Sequence, residues 1–221
     1  MKIVFSVGGS LVYPESIDVS FIERFCSLVA ELSHVHEIAV VVGGGRLARS
    51  YIHAAEGFKA SDDIKDYLGI EATHLNAMLV ASALGRQAVY KRTVSKADFK
   101  KGVIVVTGGT TPGHSTDAVA AELAVLMKAD LLINASNITG VYEKDPSVSP
   151  TAKLLEKITP AELLKIVARL PQTPGKYALI DKLAVETIKK AKIKTIILNG
   201  RDIENIKKAV EGKKFVGTIV G

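Results

Sequence analysis

Residues Gly102–Leu123 read GVIVVTGGTTPGHSTDAVAAEL. Val103, Ile104, Val105 and Val106 form a short, apolar, β-branched run, the composition of a buried strand. Thr107, Gly108 and Gly109 close that run, predicting a strand over 103–107. The loop Thr110–Thr116 follows, with Pro112 and Gly113 at its centre. From Ser115 the pattern turns helical, with Val119, Leu123 and Leu126 along one face, predicting a helix over 116–128. Ser115 or Thr116 suits the N-cap, and Asp117 in the first turn suits the helix dipole. Strand, glycine turn and helix N-terminus together make a place where backbone N–H groups hold an anion. The loop adds hydroxyls from Thr110, Thr111, Ser115 and Thr116, and the imidazole of His114. The stretch reads as a phosphate cradle. Taken alone, one such turn is better read as an ordinary strand–helix connection.

Reading outward, Lys2–Val7 is a first strand stopped by Gly8, Gly9 and Ser10, and Leu11–Asp18 a loop. Val19–Ser33 is a helix by the spacing of Phe21, Phe25, Leu28, Val29 and Leu32. Glu37–Val42 is a second strand running into Gly43-Gly44-Gly45. Arg46–Gly57 is a helix with Leu47, Tyr51, Ala54 and Ala55 inward, and Ser61–Leu84 holds one long helix or two shorter ones. Gln87–Tyr90 is a weak strand, Lys91–Lys101 a polar connection and Asp130–Ala135 a strand. A turn-rich segment spans Thr139–Pro150. Pro160–Ala168 is a helix capped by Thr159, and Leu170–Tyr177 a loop. Asp181–Ala191 is a helix, Thr195–Leu198 a strand, Ile203–Val210 the last helix and Phe215–Val220 an edge strand. Strands alternating with helices imply an α/β domain built on a mainly parallel sheet covered on both faces.

Composition narrows the function. The 221 residues suit one domain, and 48% hydrophobic residues supply a large core that is aliphatic, since aromatics are 5% and Trp is absent. The net charge of +6, from 29 basic and 23 acidic residues, is spread without a run of like charges. It suits a small anionic ligand and gives no specific sign of nucleic acid. The single Cys26 excludes an internal disulfide and is expected in the core, consistent with the cytoplasm. No apolar run approaches the roughly 20 residues that span a bilayer. No signal peptide is expected, because Gly8, Gly9 and Ser10 interrupt the first apolar stretch.

Three strand ends carry glycine clusters: Gly8-Gly9-Ser10, Gly43-Gly44-Gly45 and Gly108-Gly109. In an open α/β sheet ligands sit at the carboxyl ends of strands, so three such turns on one edge could hold several phosphates. A dinucleotide fingerprint competes. Gly43-Gly44-Gly45-Arg46-Leu47-Ala48 matches G-x-G-x-x-A, with Asp62, Asp63 and Asp66 near the distance of a ribose-binding acid. It follows the second strand rather than the first and leaves two glycine turns unexplained. No Walker A motif is present, and no His or Cys spacing suggests a metal site.

The stretches VGGSL at 7–11, VVVGGGRLAR at 40–49, DYLGIEATHLNAML at 66–79, GGTTPGHSTDAVAA at 108–121 and NASNITGVYEKDP at 134–146 carry a resemblance. The chain resembles the archaeal-type uridylate kinases of the amino acid kinase family, from Met1 to the last strand. The resemblance implies a three-layer αβα sandwich, an N-terminal part for UMP and a C-terminal part for ATP. It implies phosphoryl transfer from ATP to UMP with Mg²⁺, a cytoplasmic location and a homohexamer. By the same resemblance Gly9, Ser10, Gly45 and Arg49 meet the ATP phosphates, and Ser136, Asn137, Tyr142 and Asp145 line the adenosine side. Gly44 and Thr110, Thr111, Pro112, Gly113, His114, Ser115 and Thr116 hold the UMP phosphate, and Asp66 the ribose. Asp117 and Arg49 are the catalytic candidates. Read from the residues alone, Tyr142 could be core, Asp145 a turn residue, Arg49 a solvated arginine and Asp66 a helix cap.

Two features depart from the family pattern. Many members carry a lysine two residues before the first glycine pair, where this chain has Ser6. Relatives also carry one shortly before the late helix, where this chain has Leu179-Ile180-Asp181. The segment Pro171–Tyr177 matches poorly. Isopentenyl phosphate or acetylglutamate kinases, and a regulatory nucleotide-binding module without turnover, are the alternative readings.

Overall fold

In chain order the elements are β1 (Lys2–Val7), α1 (Gly9–Val12), α2 (Val19–Ser33), β2 (Glu37–Val42), α3 (Gly45–Gly57), α4 (Asp62–Leu84), β3 (Ala88–Tyr90), β4 (Ile104–Thr107) and α5 (Thr116–Met127). Then follow β5 (Leu131–Ser136), β6 (Lys157–Ile158), α6 (Pro160–Val167), α7 (Lys182–Ala191), β7 (Thr195–Asn199), α8 (Ile203–Val210) and β8 (Thr218–Val220). They come from a computed structural model that describes residues 1–146, 148–149, 151–169 and 179–221. The expected loop Leu170–Tyr177, apart from the end of α6 before it, lies outside the described residues.

Among the described residues the strands form one sheet in the order β3-β4-β2-β1-β5-β7-β8-β6. Every pairing is parallel except β7 with β8. The central strands are apolar on both faces, as a doubly covered parallel sheet requires. Side chains alternate: Ile3, Phe5 and Val7 join the core beneath α2, α4 and α8, while Val4 joins the opposite core beneath α5, α6 and α7. The result is the expected three-layer αβα sandwich. Chain order reverses direction in the sheet between β1 and β5, a topological switch point of the kind where α/β ligands bind.

Caps fix where helices begin. Ser115 Oγ accepts from Ala118 N at the start of α5 (3.1 Å). Thr159 and Glu162 form a capping box on α6. Asp181 Oδ1 accepts from Ala184 N, so Asp181 caps α7 rather than opening it. Three sequence expectations need correction. The loop after β1 starts later, because Gly9–Val12 closes one helical turn. Tyr51 and Ala54 of α3 face solvent and Ile52 lies on the inner side instead, while Ala55 is buried as expected. Of the two readings of Ser61–Leu84, the single helix holds, over Asp62–Leu84 with Ser61 as its cap. The last strand is internal, since the two-residue β6 pairs with its outer side and takes the edge. Cys26 is buried, as expected.

Candidate functional site

All three glycine turns lie at the carboxyl ends of neighbouring parallel strands: β1, β2 and β4. The first two are pressed together. A methyl at Gly9 would fall 2.0 Å from Gly45 N and 2.5 Å from Gly43 C, so any side chain there is excluded by backbone. Gly45 has φ +61°, the left-handed region that glycine enters without strain.

A cleft opens between α4 and the β4–α5 loop. Its wall includes Gly44, Asp66, Gly109 and residues 111 to 116. The sequence-predicted acceptor residues are therefore brought together, with Thr110 alone standing outside the wall, exposed beside Thr111. Asp66 Oδ2 accepts from Gly113 N at 2.7 Å, tying α4 to the tip of the loop across 47 residues of sequence. Asp66 is not a helix cap. That position belongs to Ser61, whose side chain accepts from Ile64 N (3.4 Å). His114 Nδ1 lies 3.2 Å from Glu122 Oε1, near enough for charge attraction without hydrogen-bond geometry. Thr73, which the sequence places with Asn76 on the same helical wall as Asp66, lines the cleft, whereas Asn76 does not. The Thr73 hydroxyl accepts from Gly109 N and donates to Ile70 O, each at 2.6 Å, two helical turns along α4 from Asp66.

Asp117 marks the centre. Strand alternation puts Ser6 of β1 and Asn134 of β5 on the α5 side of the sheet. Ser6 Oγ donates to Asp117 Oδ1 at 2.7 Å, and Asn134 Nδ2 donates to the same oxygen at 2.6 Å. Part of the Asp117 surface stays accessible. Burial nonetheless pushes its carboxyl up to about 6, the nearby Asp181 carboxylate adds to the rise, and the two donors oppose it. Asp181 itself is engaged by the α7 N-terminus and by the Ser115 hydroxyl. Ser6 thus binds Asp117 as a neutral donor.

On the other side of β1, Asn137 Nδ2 donates to Ser10 Oγ at 2.9 Å, joining the turn after β5 to the turn after β1. Ser136 O accepts from Gly200 N at 2.8 Å. Arg201, which the sequence reading left out, donates to Asp18 Oδ2 (2.9 Å) and Ser10 O (3.3 Å). Tyr142 forms an antiparallel bridge with Leu154, and the Asp145 carbonyl accepts from Val148 N and Ser149 N. Arg49 is exposed one turn into α3, with no carboxylate paired to it among the described residues, whereas Arg46 pairs with Glu15.

Residues 1–199 match the amino acid kinase family. A uridylate kinase of Thermococcus sibiricus is 43% identical over the whole chain and 99% of its own length. One of Archaeoglobus fulgidus is 42% identical over the full length of both chains. The crystal structure of uridylate kinase from Archaeoglobus fulgidus superposes with a TM-score of 0.87 at 41% identity, covering both chains completely. A UMP kinase structure from Bacillus anthracis, at 17% identity and a TM-score of 0.85, shares the fold. These likenesses extend over the glycine turns, the cleft and Asp117 alike, and the dinucleotide reading of Gly43–Ala48 gives way to them: the chain belongs to the amino acid kinase family.

Proposed function

We propose that the protein is a uridylate kinase that transfers the γ-phosphoryl group of ATP to UMP, giving UDP and ADP. The observation that carries this reading is the placing of three glycine turns on one sheet edge, with a polar cleft walled by Asp66 and the 111–116 loop beside them. Full-length relatives named uridylate kinase support it. The cleft takes UMP, with Gly44 and Thr110–Thr116 at its phosphate and Asp66 at its ribose. Gly9, Ser10, Gly45 and Arg49 take the ATP phosphates. Ser136, Asn137, Tyr142 and Asp145 take its adenosine end, so the N-terminal part of the single domain serves the acceptor and the C-terminal part the donor.

Phosphoryl transfer asks for in-line placement and charge stabilisation more than covalent chemistry. The UMP phosphate is already an oxyanion and needs no general base. Backbone N–H groups at the glycine turns and the N-termini of α3 and α5 face negative charge favourably. Arg49, one turn beyond Gly45, reaches back over the phosphates. Asp117, fixed by Ser6 and Asn134, organises the centre.

Mg²⁺ fits this donor set as an ion carried by the nucleotide. Among the described residues no cluster of three or more His, Cys, Asp or Glu side chains could cage a metal. Mg²⁺ normally keeps several waters and binds through substrate phosphates with one or two carboxylates. Asp117 Oδ2, which accepts from no donor among the described residues, is the protein oxygen available to it, directly or through water. When bound, the ion neutralises charge developing between the β- and γ-phosphates. A homohexameric, cytoplasmic enzyme of pyrimidine nucleotide synthesis completes the proposal. The test is ADP release and UDP formation across a panel of acceptors. UMP should be preferred, better use of isopentenyl phosphate or acetylglutamate would move the protein to a sister branch, and nucleotide binding without product would make it a regulatory module.

A further inference from the structure

Asn76 lies nearly three turns beyond Asp66 on α4, is 2% exposed, and touches the glycine turn after β2 rather than the cleft. Its Nδ2 donates to two successive carbonyls, Gly43 O at 2.8 Å and Gly44 O at 3.2 Å. In a trans peptide the N–H points opposite to the C=O. Holding these two carbonyls toward α4 therefore aims the next two N–H groups, those of Gly44 and Gly45, away from α4. Neither N–H has an acceptor among the described residues. Gly44 is right-handed helical (φ −82°, ψ −24°) and Gly45 follows with positive φ, the backbone sequence of an anion-binding nest. Gly45 N lies against the Gly9 backbone, where a side chain on residue 9 would stand 2.0 Å from it, so only glycine leaves this amide uncovered by a side chain.

We infer that Asn76 is a positioning residue that sets the two peptide planes of the Gly43–Gly45 turn, so that the Gly44 and Gly45 N–H groups converge on phosphate. It touches no substrate and acts through backbone. The inference rests on the assignment of this turn to phosphate in the proposed kinase reaction. It also explains a polar side chain in the middle of α4: its amide satisfies the buried Gly43 carbonyl and shares the Gly44 carbonyl with Ala48 N, which donates to it at 3.3 Å.

The experiment separates phosphate from nucleoside recognition. Binding of UMP, ATP, uridine and adenosine is measured for the wild type and for Asn76→Ala, with turnover of UMP alongside. The inference expects Kd for UMP and ATP to rise at least about 10-fold, and kcat to fall, while uridine and adenosine bind within about twofold of wild type. A general structural lesion would weaken nucleosides and nucleotides together, and that outcome, or unchanged nucleotide affinity and turnover, overturns the inference. If the alanine variant does not fold, Asn76→Ser is measured identically, since its hydroxyl can bond back to its own helix and leaves the turn untethered. A wild type that binds phosphates but forms no UDP would count against the kinase reading while leaving the positioning role open to the same binding comparison.

Discussion

Replacing Asp117 by Asn should stabilise the fold while removing activity, and the stabilisation should depend on pH. Burial raises the Asp117 carboxyl from its ordinary 3.8 to about 6. Each pH unit of displacement is worth about 1.4 kcal/mol, so ionising this group costs the native state at most about 3 kcal/mol relative to the unfolded chain. The sign follows from which state holds the proton. Between 3.8 and about 6 the native protein keeps it and the unfolded chain has lost it. Stability from this group is therefore complete below the lower value and falls as pH rises through the upper one. Asn cannot ionise, and its amide oxygen can still accept from Ser6 and Asn134 in place of Asp117 Oδ1. At about 2–4 °C per kcal/mol for a chain of this size, the variant should melt up to roughly 6–12 °C above wild type at pH 7.5. The gap should close towards pH 4. Thermal unfolding of both proteins from pH 4 to 8, in the absence of nucleotide, measures it, and steady-state turnover shows the loss of activity. A gap that stays constant with pH, or a variant that melts lower at neutral pH, would refute the burial argument.

Asp66→Ala should raise the KM for UMP by about 10- to 100-fold, through loss of a charge-assisted hydrogen bond and of the tether to Gly113, with much less effect on the KM for ATP. Discrimination against 2′-deoxy-UMP should weaken in the same variant, and its melting temperature should hold because Ser61 still caps α4. Arg49→Ala should lower kcat more than it weakens UMP binding; unchanged kinetics would make it a surface residue and direct attention to Arg46. Thr73→Val keeps the shape but strands the Gly109 N–H, which should cost about 1–3 kcal/mol of stability and raise the KM for UMP, read by calorimetry and initial rates.

The fold was legible where one residue type dictates one environment. β1, β2, β4, β5 and β7 are continuous apolar runs, as strands buried on both faces must be. α2 and α8 showed clean helical spacing, and Ser115 and Thr159 announced their helices by capping chemistry. What failed to show was decided by tertiary context. β6 is two residues long and exists because β8 lies alongside it. Tyr51 fits an inward stripe as well as an outward one, since α3 is rich in alanine and both faces carry apolar atoms. The site divided the same way. The 108–121 stretch announced itself through glycine, proline and hydroxyl residues. The contacts that shape it were hidden, because Ser6 meets Asp117 across 111 residues of sequence and Asp66 meets Gly113 across 47.

The pairing of Ser6 with Asp117 bears on the absence of two lysines that relatives carry. A lysine in the first strand would supply a fixed positive charge and would also cancel that of the buried carboxylate. Ser6 and Asn134 hold the carboxylate in place without cancelling anything, since neither donor is charged. Asp117 therefore remains a net negative group when ionised, and burial, with the Asp181 carboxylate adding to it, raises its proton affinity. Ionised at neutral pH, it becomes favourable only when a cation comes near, and Coulomb attraction in a partly dry site rewards that approach strongly. Under the proposed reading the cation arrives with ATP or swings in from α3, where Arg49 is exposed and pairs with no carboxylate among the described residues. On that reading, charge that the family pattern builds into the fold would here be supplied on substrate binding, and the centre would be complete only with donor and acceptor both in place.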